Sequence, residues 1–388
     1  MKATQRWFCL LLLTTILPMG AMTASTPALS SKYLLFVGTY TDKESKGIYA
    51  YRFDPVSNQL LPLGLVAETT NPSFLTTDAN ARFLYAVNEL PKYKGEASGG
   101  VSAFVIDHSS GRLSLLNEVP SRGADPCYLS FDKSGRYVLV ANYTGGSVAV
   151  FPVDKDGSLR APSAFVQHSG SGPNRERQEG PHAHWIETSP DNRFALAADL
   201  GLDEIVVYRF DAKNGSLTKN DPPFAKLDPG VGPRHLSFHP NGRFAYVVNE
   251  LKSTITAFAY DANRGALKKL GTVSTLPADY SGANDGAEIH VHPSGKFLFV
   301  SNRGHDSITV FSINPGSGEL ALVQDVSTQG KTPRNFEIDP TGAFLFVANQ
   351  DSGNIVLFRI DPQTGKLMAT GQVLSVPSPV SLRFVAAR

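Results

Sequence analysis

One unit recurs along this chain, and no other feature limits its fold as tightly. Six stretches carry it in full: "NPSFLTTDANARFLYAVNE", "DPCYLSFDKSGRYVLVANY", "HAHWIETSPDNRFALAADL", "GPRHLSFHPNGRFAYVVNE", "GAEIHVHPSGKFLFVSNR" and "TPRNFEIDPTGAFLFVANQ". Each reads as a short strand, a turn, and a second strand ending in Asn or a close relative. A third strand such as "GSVAVFPVD" or "DSITVFSIN" follows, and "GRLSLLNEV" or "GKLMATGQV" gives a fourth. The segments alternate β-branched or aromatic residues with polar ones, and Gly, Asn, Asp and Pro punctuate them. The 34 Gly and 26 Pro suit many turns rather than long helices.

The residue closing the second strand falls at Asn88, Asn142, Asp199, Asn249, Asn302 and Asn349, and Gly38 of "KYLLFVGTY" takes that place in a seventh copy. The six intervals from Gly38 to Asn349 average about 52 residues, the period of a four-stranded propeller blade. The chain therefore reads as an all-β, seven-bladed β-propeller. Its first copy lacks an opening strand, and the last segment, "SPVSLRF" (378–384), has the missing form: Ser378-Pro379-Val380-Ser381-Leu382 matches Asn71-Pro72-Ser73-Phe74-Leu75. The C-terminal strand is expected to pair with the first blade and close the ring, leaving no open sheet edges. One closed domain over 25–388 follows.

In a propeller the start of each inner strand and the end of each second strand meet around one mouth of the central channel. Two columns of residues should converge there. The first reads Ser73, Cys127, His184, Arg234, Ala287, Arg334 and Val380, and the second Thr39, Glu89, Tyr143, Leu200, Glu250, Arg303 and Gln350. Both vary sharply, whereas the apolar column Leu75, Leu129, Ile186, Leu236, Ile289, Phe336 and Leu382 does not. A shared site on a repeated scaffold has this signature. The near-constant Asn column reads instead as a turn former at a strand end.

The chemistry gathered at the mouth comprises imidazoles (His184 and neighbouring His182), guanidiniums (Arg234, Arg303, Arg334) and carboxylates (Glu89, Glu250). Arginine presents a rigid fork suited to carboxylate or phosphate, and a histidine near a carboxylate can move protons near neutral pH. The stretch "HSGSGPNRERQEGPH" makes the interval from Asn142 to Asp199 the longest, at 57 residues, and is expected to cover the same mouth as a polar lid. The competing readings are blade-to-blade ion pairs for the arginines and strand-start residues bonded to backbone for His182 and His184. No Cys cluster or third nearby ligand supports a zinc site at His182 and His184, and His239 and His292 fall in turns at the opposite strand ends. The chain has no GxSxG elbow, no P-loop and no GxGxxG opening a helix.

The N-terminus reads as a signal peptide over 1–24. Lys2 and Arg6 precede the apolar run Phe8–Leu17, and small residues follow, with cleavage expected near Ala24. The run is shorter than the roughly 20 residues that span a bilayer, and no second long apolar stretch occurs, so no membrane attachment is expected after cleavage. The mature chain should be periplasmic or secreted. It would keep only Cys127, so no intramolecular disulfide can form. A formal net charge of +1 argues against nucleic acid as a partner. Oligomeric state is not readable from the sequence.

"FVGTYT", "GIYAYRFD", "NPSFL", "LYAVNE", "GPHAHW", "GPRHLSFHPNGRFAYVVNEL" and "FVSNRGHDSI" together resemble the lactonase family of seven-bladed propellers. That family contains bacterial 6-phosphogluconolactonases and the fungal 3-carboxy-cis,cis-muconate lactonising enzyme. The likeness runs from about Tyr33 to Phe384. It implicates a His of PHxH (His184 or His182), the Arg of PRH (Arg234), the Glu of NE (Glu250) and the Arg of NR (Arg303) as catalytic residues. His182, Arg334, Glu89 and Tyr143 are then expected to bind substrate. The resemblance implies a lactone hydrolase acting on an anionic sugar-derived lactone, with Arg234 and Arg303 holding the anion and His184 or Glu250 activating water. It implies no metal or organic cofactor. Export points towards an aldonic or carboxylated lactone other than 6-phosphogluconolactone, or to a family broader than one substrate. A lactonising enzyme and a non-catalytic binding propeller of the YVTN surface type are the alternative readings.

Overall fold

The computed structural model describes Met1 and residues 32–387; the expected signal peptide lies almost wholly outside them. Seven antiparallel four-stranded sheets account for all 28 strands among the described residues. The first blade is assembled from both ends of the chain, in the order Pro379–Ala386, Tyr33–Thr39, Gly47–Asp54 and Gln59–Glu68. The closing strand pairs with Tyr33–Thr39 from Tyr33 opposite Ala386 to Thr39 opposite Pro379. It buries Val380, Leu382, Phe384 and Val385, and the Leu382 N–H donates to Asn335 Oδ1 of the seventh blade at 2.9 Å. The sequence reading of a ring closed by its C-terminal strand holds.

The constant apolar column is the core between inner strands: each of its seven members is at most 4 % exposed. Turns between inner and second strands are held by side chains at fixed offsets. Asp132 Oδ1 accepts the N–H groups of Arg136 and Tyr137, and Asp339 Oδ1 those of Ala343 and Phe344. The turn glycines Gly135 and Gly342 have φ of 69° and 74°, a conformation that favours glycine. In two blades a histidine does related work, His239 and His292 each reaching a carbonyl of the next blade, at Gly295 and Gly342.

Four members of the Asn column also staple neighbouring blades together. Asn88, Asn142, Asn302 and Asn349 donate from Nδ2 to the carbonyls of Thr70, Ser121, Thr275 and Thr328, just beyond the outer strand of the preceding blade. In the first blade that position belongs to Thr39 and not to Gly38. Thr39 is the residue opposite Pro379, as Asn142 is opposite Pro126, and its hydroxyl donates to Gly47 O at 2.6 Å. The mouth position therefore shifts by one, from Thr39 to Tyr40, whose N–H bonds to Ser378 O as Glu89 N–H bonds to Asn71 O.

Candidate active site

The varied column of inner-strand residues sits on a repeated irregularity. In six blades the ladder skips a residue just after the strand begins, leaving Cys127, His184, Arg234, Arg334 and Val380, and in the sixth blade the Ala287–Glu288 pair, without a counterpart on the second strand. A bulge releases one side chain from the alternation of the pleat and re-aims it. Here it frees His184, Arg234 and Arg334 from the ladder at the mouth end of their strands.

Glu250 is at the centre of the arrangement. It directly follows Asn249, the last residue of the fifth blade's second strand, and is 4 % exposed. Its Oε1 meets Arg177 Nη2 at 2.5 Å, and its Oε2 meets Arg234 Nε at 3.0 Å and Arg303 Nη2 at 2.9 Å. Burial pushes this carboxyl up, but Arg303, Arg234 and Arg177 together hold it down to about 2. The Arg303 contact crosses from the sixth blade to the fifth, so the blade-to-blade ion pair and the site are the same object. Arg303 is not spent by it: it pairs through Nη2, and its buried Nε–H lacks a hydrogen-bond acceptor among the described residues, whereas the Arg234 Nε is the atom that faces Glu250. A buried donor left in this state calls for a partner.

Arg234 is further fixed by its Nη1, which donates to Ala287 O at 2.7 Å and lies 3.3 Å from His235 Nε2. His235 Nδ1 is 2.9 Å from Glu288 Oε1, and Asn335 Nδ2 donates to Glu288 Oε2 at 2.6 Å. This chain runs down the channel from the mouth and sets the plane of the guanidinium. Burial, then Arg303 and Arg334, lower Arg234 to about 10, so it stays charged at neutral pH.

His184 and His182 separate in role. His184 is 4 % exposed, its Nδ1 3.6 Å from Cys127 Sγ, and its ring meets those of Tyr143 and His235 edge-on. Burial, then Arg234, His235 and Arg334, hold it well below the usual histidine range, so the imidazole is neutral at neutral pH. His182 stacks on Tyr143 at 4.5 Å, with Nδ1 3.1 Å from Tyr143 O and Nε2 3.2 Å from Glu179. These contacts set it against the ring and backbone of Tyr143 at the end of the 168–182 segment. Arg334 and Glu89 form a neighbouring group instead of joining the Glu250 cluster. Tyr40 OH donates to both Glu89 oxygens, and the Arg334 guanidinium lies 5.4 Å from the Tyr40 ring centroid.

Three residues escaped the sequence reading. Tyr40 was hidden by the one-place shift in the first blade. Asp285, half-buried opposite Arg303 in the sixth blade, carries a carboxyl pushed up by burial and by Glu250. Arg177 sits within the 168–182 segment, whose length marked it as a cover but whose contact with Glu250 no spacing could give. Among the described residues no three His, Cys, Asp or Glu side chains are grouped so as to share a metal ion.

The family model "Lactonase, 7-bladed beta-propeller" matches residues 34–384. The 6-phosphogluconolactonase of Bacillus subtilis (strain 168) is 42 % identical over 355 residues, covering 92 % of this chain and 99 % of that protein. A 6-phosphogluconolactonase of Formosa agariphila is 40 % identical over 314 residues, 79 % of this chain and 86 % of its own. The periplasmic gluconolactonase of Pseudomonas aeruginosa superposes with a TM-score of 0.86 at 40 % identity, covering 92 % of this chain and 100 % of that one. Matched along nearly its whole propeller in sequence and in shape, the chain belongs to the seven-bladed β-propeller lactonase family.

Proposed function

We propose that the chain is a lactone hydrolase that opens an anionic sugar-derived lactone by general acid–base catalysis without a metal. The observation that carries this reading is the pair of buried guanidiniums of Arg234 and Arg303 gathered on Glu250, with the Arg303 Nε–H lacking an acceptor among the described residues. They suit the carbonyl oxygen of an ester, whose charge grows as water adds to the carbon, and preorganised donors of this kind stabilise that charge without rearrangement. His184, neutral and beside Arg234, takes the proton from the attacking water. When the tetrahedral intermediate collapses, the ring C–O bond breaks and the imidazolium returns the proton to the departing oxygen. The product is the open-chain hydroxy acid.

Glu250 has a different part in this scheme. With both oxygens committed to three guanidiniums and its carboxyl held near 2, it has little basicity to offer. It aligns the arginines, and His184 is the base. The leader pattern over 1–24 and the periplasmic relative both support a site of action outside the cytoplasm.

The test is a panel of phosphorylated, carboxylated and unsubstituted lactones offered to purified mature protein, with and without exhaustive chelation. Hydrolysis that survives the chelator is the expected result. Activity lost to chelation and restored by one divalent ion would overturn the metal-free scheme, and ring closure of an unsaturated diacid without lactone opening would make the chain a lactonising enzyme.

A further inference from the structure

We propose that Arg177 is the specificity determinant of this mouth: it reads a standing oxyanion, phosphate or carboxylate, on the lactone at a point remote from the ester. The inference rests on the lactonase reading above and adds to it which lactones are preferred.

Arg177 is held by built structure. Both ends of its segment are tied to one buried carboxylate, His168 Nδ1 lying 2.6 Å from Asp199 Oδ2 and the His182 N–H donating to Asp199 Oδ1 at 2.8 Å. Gln178, wholly buried, donates to Leu200 O and Asp203 Oδ1 and accepts from the Asn174 N–H. At Gly201 a Cβ would come within 1.9 Å of Gly180 O, so the segment lies directly on the fourth blade. An arginine next to Gln178 in such a turn has its backbone position set before any ligand arrives.

Its side chain then differs from its two partners on Glu250. The side chains of Arg234 and Arg303 are 3 % and 14 % exposed, and that of Arg177 is 37 % exposed. Among the described residues, only Nη2 of Arg177 is engaged, by Glu250 Oε1 and, at 3.4 Å, by Tyr143 OH. A guanidinium has five N–H donors, so this partly exposed one keeps donors for an incoming group. Arg234 and Arg303 are turned inward, where the ester carbonyl would lie. Arg177 is turned outward, where a substituent on the far side of the ring would lie. Its fork geometry matches a phosphate or carboxylate.

The experiment compares kcat/KM for a 6-phosphorylated aldonolactone, a carboxylated lactone and the unsubstituted lactone in wild type, Arg177→Gln and Arg177→Lys, each checked for an unchanged melting temperature. Arg177→Gln also loosens Glu250 and lowers all rates by a common factor, so the selectivity ratio is the readout. A charge-assisted contact of this kind should make the charged-to-neutral ratio fall by about 10- to 100-fold in Arg177→Gln, with Arg177→Lys in between. A ratio that stays within about twofold of wild type, or a wild type with no preference for charged lactones, overturns the inference. If wild type opens no lactone at all, the lactonase reading fails. Calorimetric titration with an aldonate 6-phosphate and the plain aldonate then decides Arg177 separately: selective weakening of the phosphate compound in Arg177→Gln sustains its role, and equal binding of both to wild type removes it.

Discussion

Replacing Glu250 by Gln separates a residue that aligns arginines from one that takes protons. In the folded protein this carboxyl is held at about 2 against an ordinary 4.5. That difference corresponds to about 3 kcal/mol of stability, at about 1.4 kcal/mol per pKa unit. The group is buried, so solvent screens the figure little, and removing one partner of a buried ion cluster typically costs a similar 3–5 kcal/mol. A depressed carboxylate pKa contributes stability that is present above about 4.5 and is lost as pH falls towards 2. Glu250→Gln should therefore be less stable than wild type by about 3 kcal/mol at pH 7, and the gap should shrink to about 1 kcal/mol at pH 3, where the carboxyl of the unfolded chain is protonated while the folded one is still mostly ionised. Urea unfolding at pH 3, 5 and 7 measures it. The same variant should raise KM and lower kcat through misplaced arginines, yet keep the acid limb of its kcat/KM profile. A stability gap independent of pH, or an acid limb that vanishes with Glu250, would refute the arginine-aligning role.

Three further outcomes follow from the geometry. His184→Ala should lower turnover by roughly 10²–10⁴; because the base must be neutral, wild-type kcat/KM should fall only as pH drops through a value below 6.5, and Arg234→Gln, which removes a positive neighbour, should move that limb upward. Arg303→Gln should cost about 10²–10³ in turnover as a lost oxyanion donor, while Arg334→Gln, set apart over Tyr40, should cost less; equal losses would dissolve the distinction between the two groups. Deleting 378–388 removes four buried apolar side chains, about 1.5–3 kcal/mol each, which approaches the 5–15 kcal/mol that typical folds possess; a truncated protein melting with the full-length one would contradict ring closure by this strand.

The fold was legible because the repeat states it seven times, and even the closing strand could be matched residue by residue to Asn71–Leu75. Where the repeat was faintest the reading slipped. "FVGTY" lacks the Asn that anchors the other copies, and only the pairing of Thr39 with Pro379 shows that Thr39, not Gly38, occupies its place. His184, Arg234, Glu250 and Arg303 were legible as a set because column position fixes where a side chain starts. What each does was not, since that depends on where the side chain ends. Glu250 looks like a base in sequence and is saturated by guanidiniums in space, one of them 73 residues earlier in the chain. Arg177 belongs to no repeat column, so no periodicity could single it out.

The skipped position near the start of six inner strands has a consequence for how such a protein changes over time. Because the bulged residue makes no ladder pair, the hydrogen bonds that hold each blade do not depend on its identity: cysteine, histidine, arginine and valine all occupy it here. The ring thus offers a set of independently writable positions around one opening, fixed in place by a frame that is indifferent to what they carry. A new specificity can be composed there one blade at a time, while the ladder of the frame stays as it is.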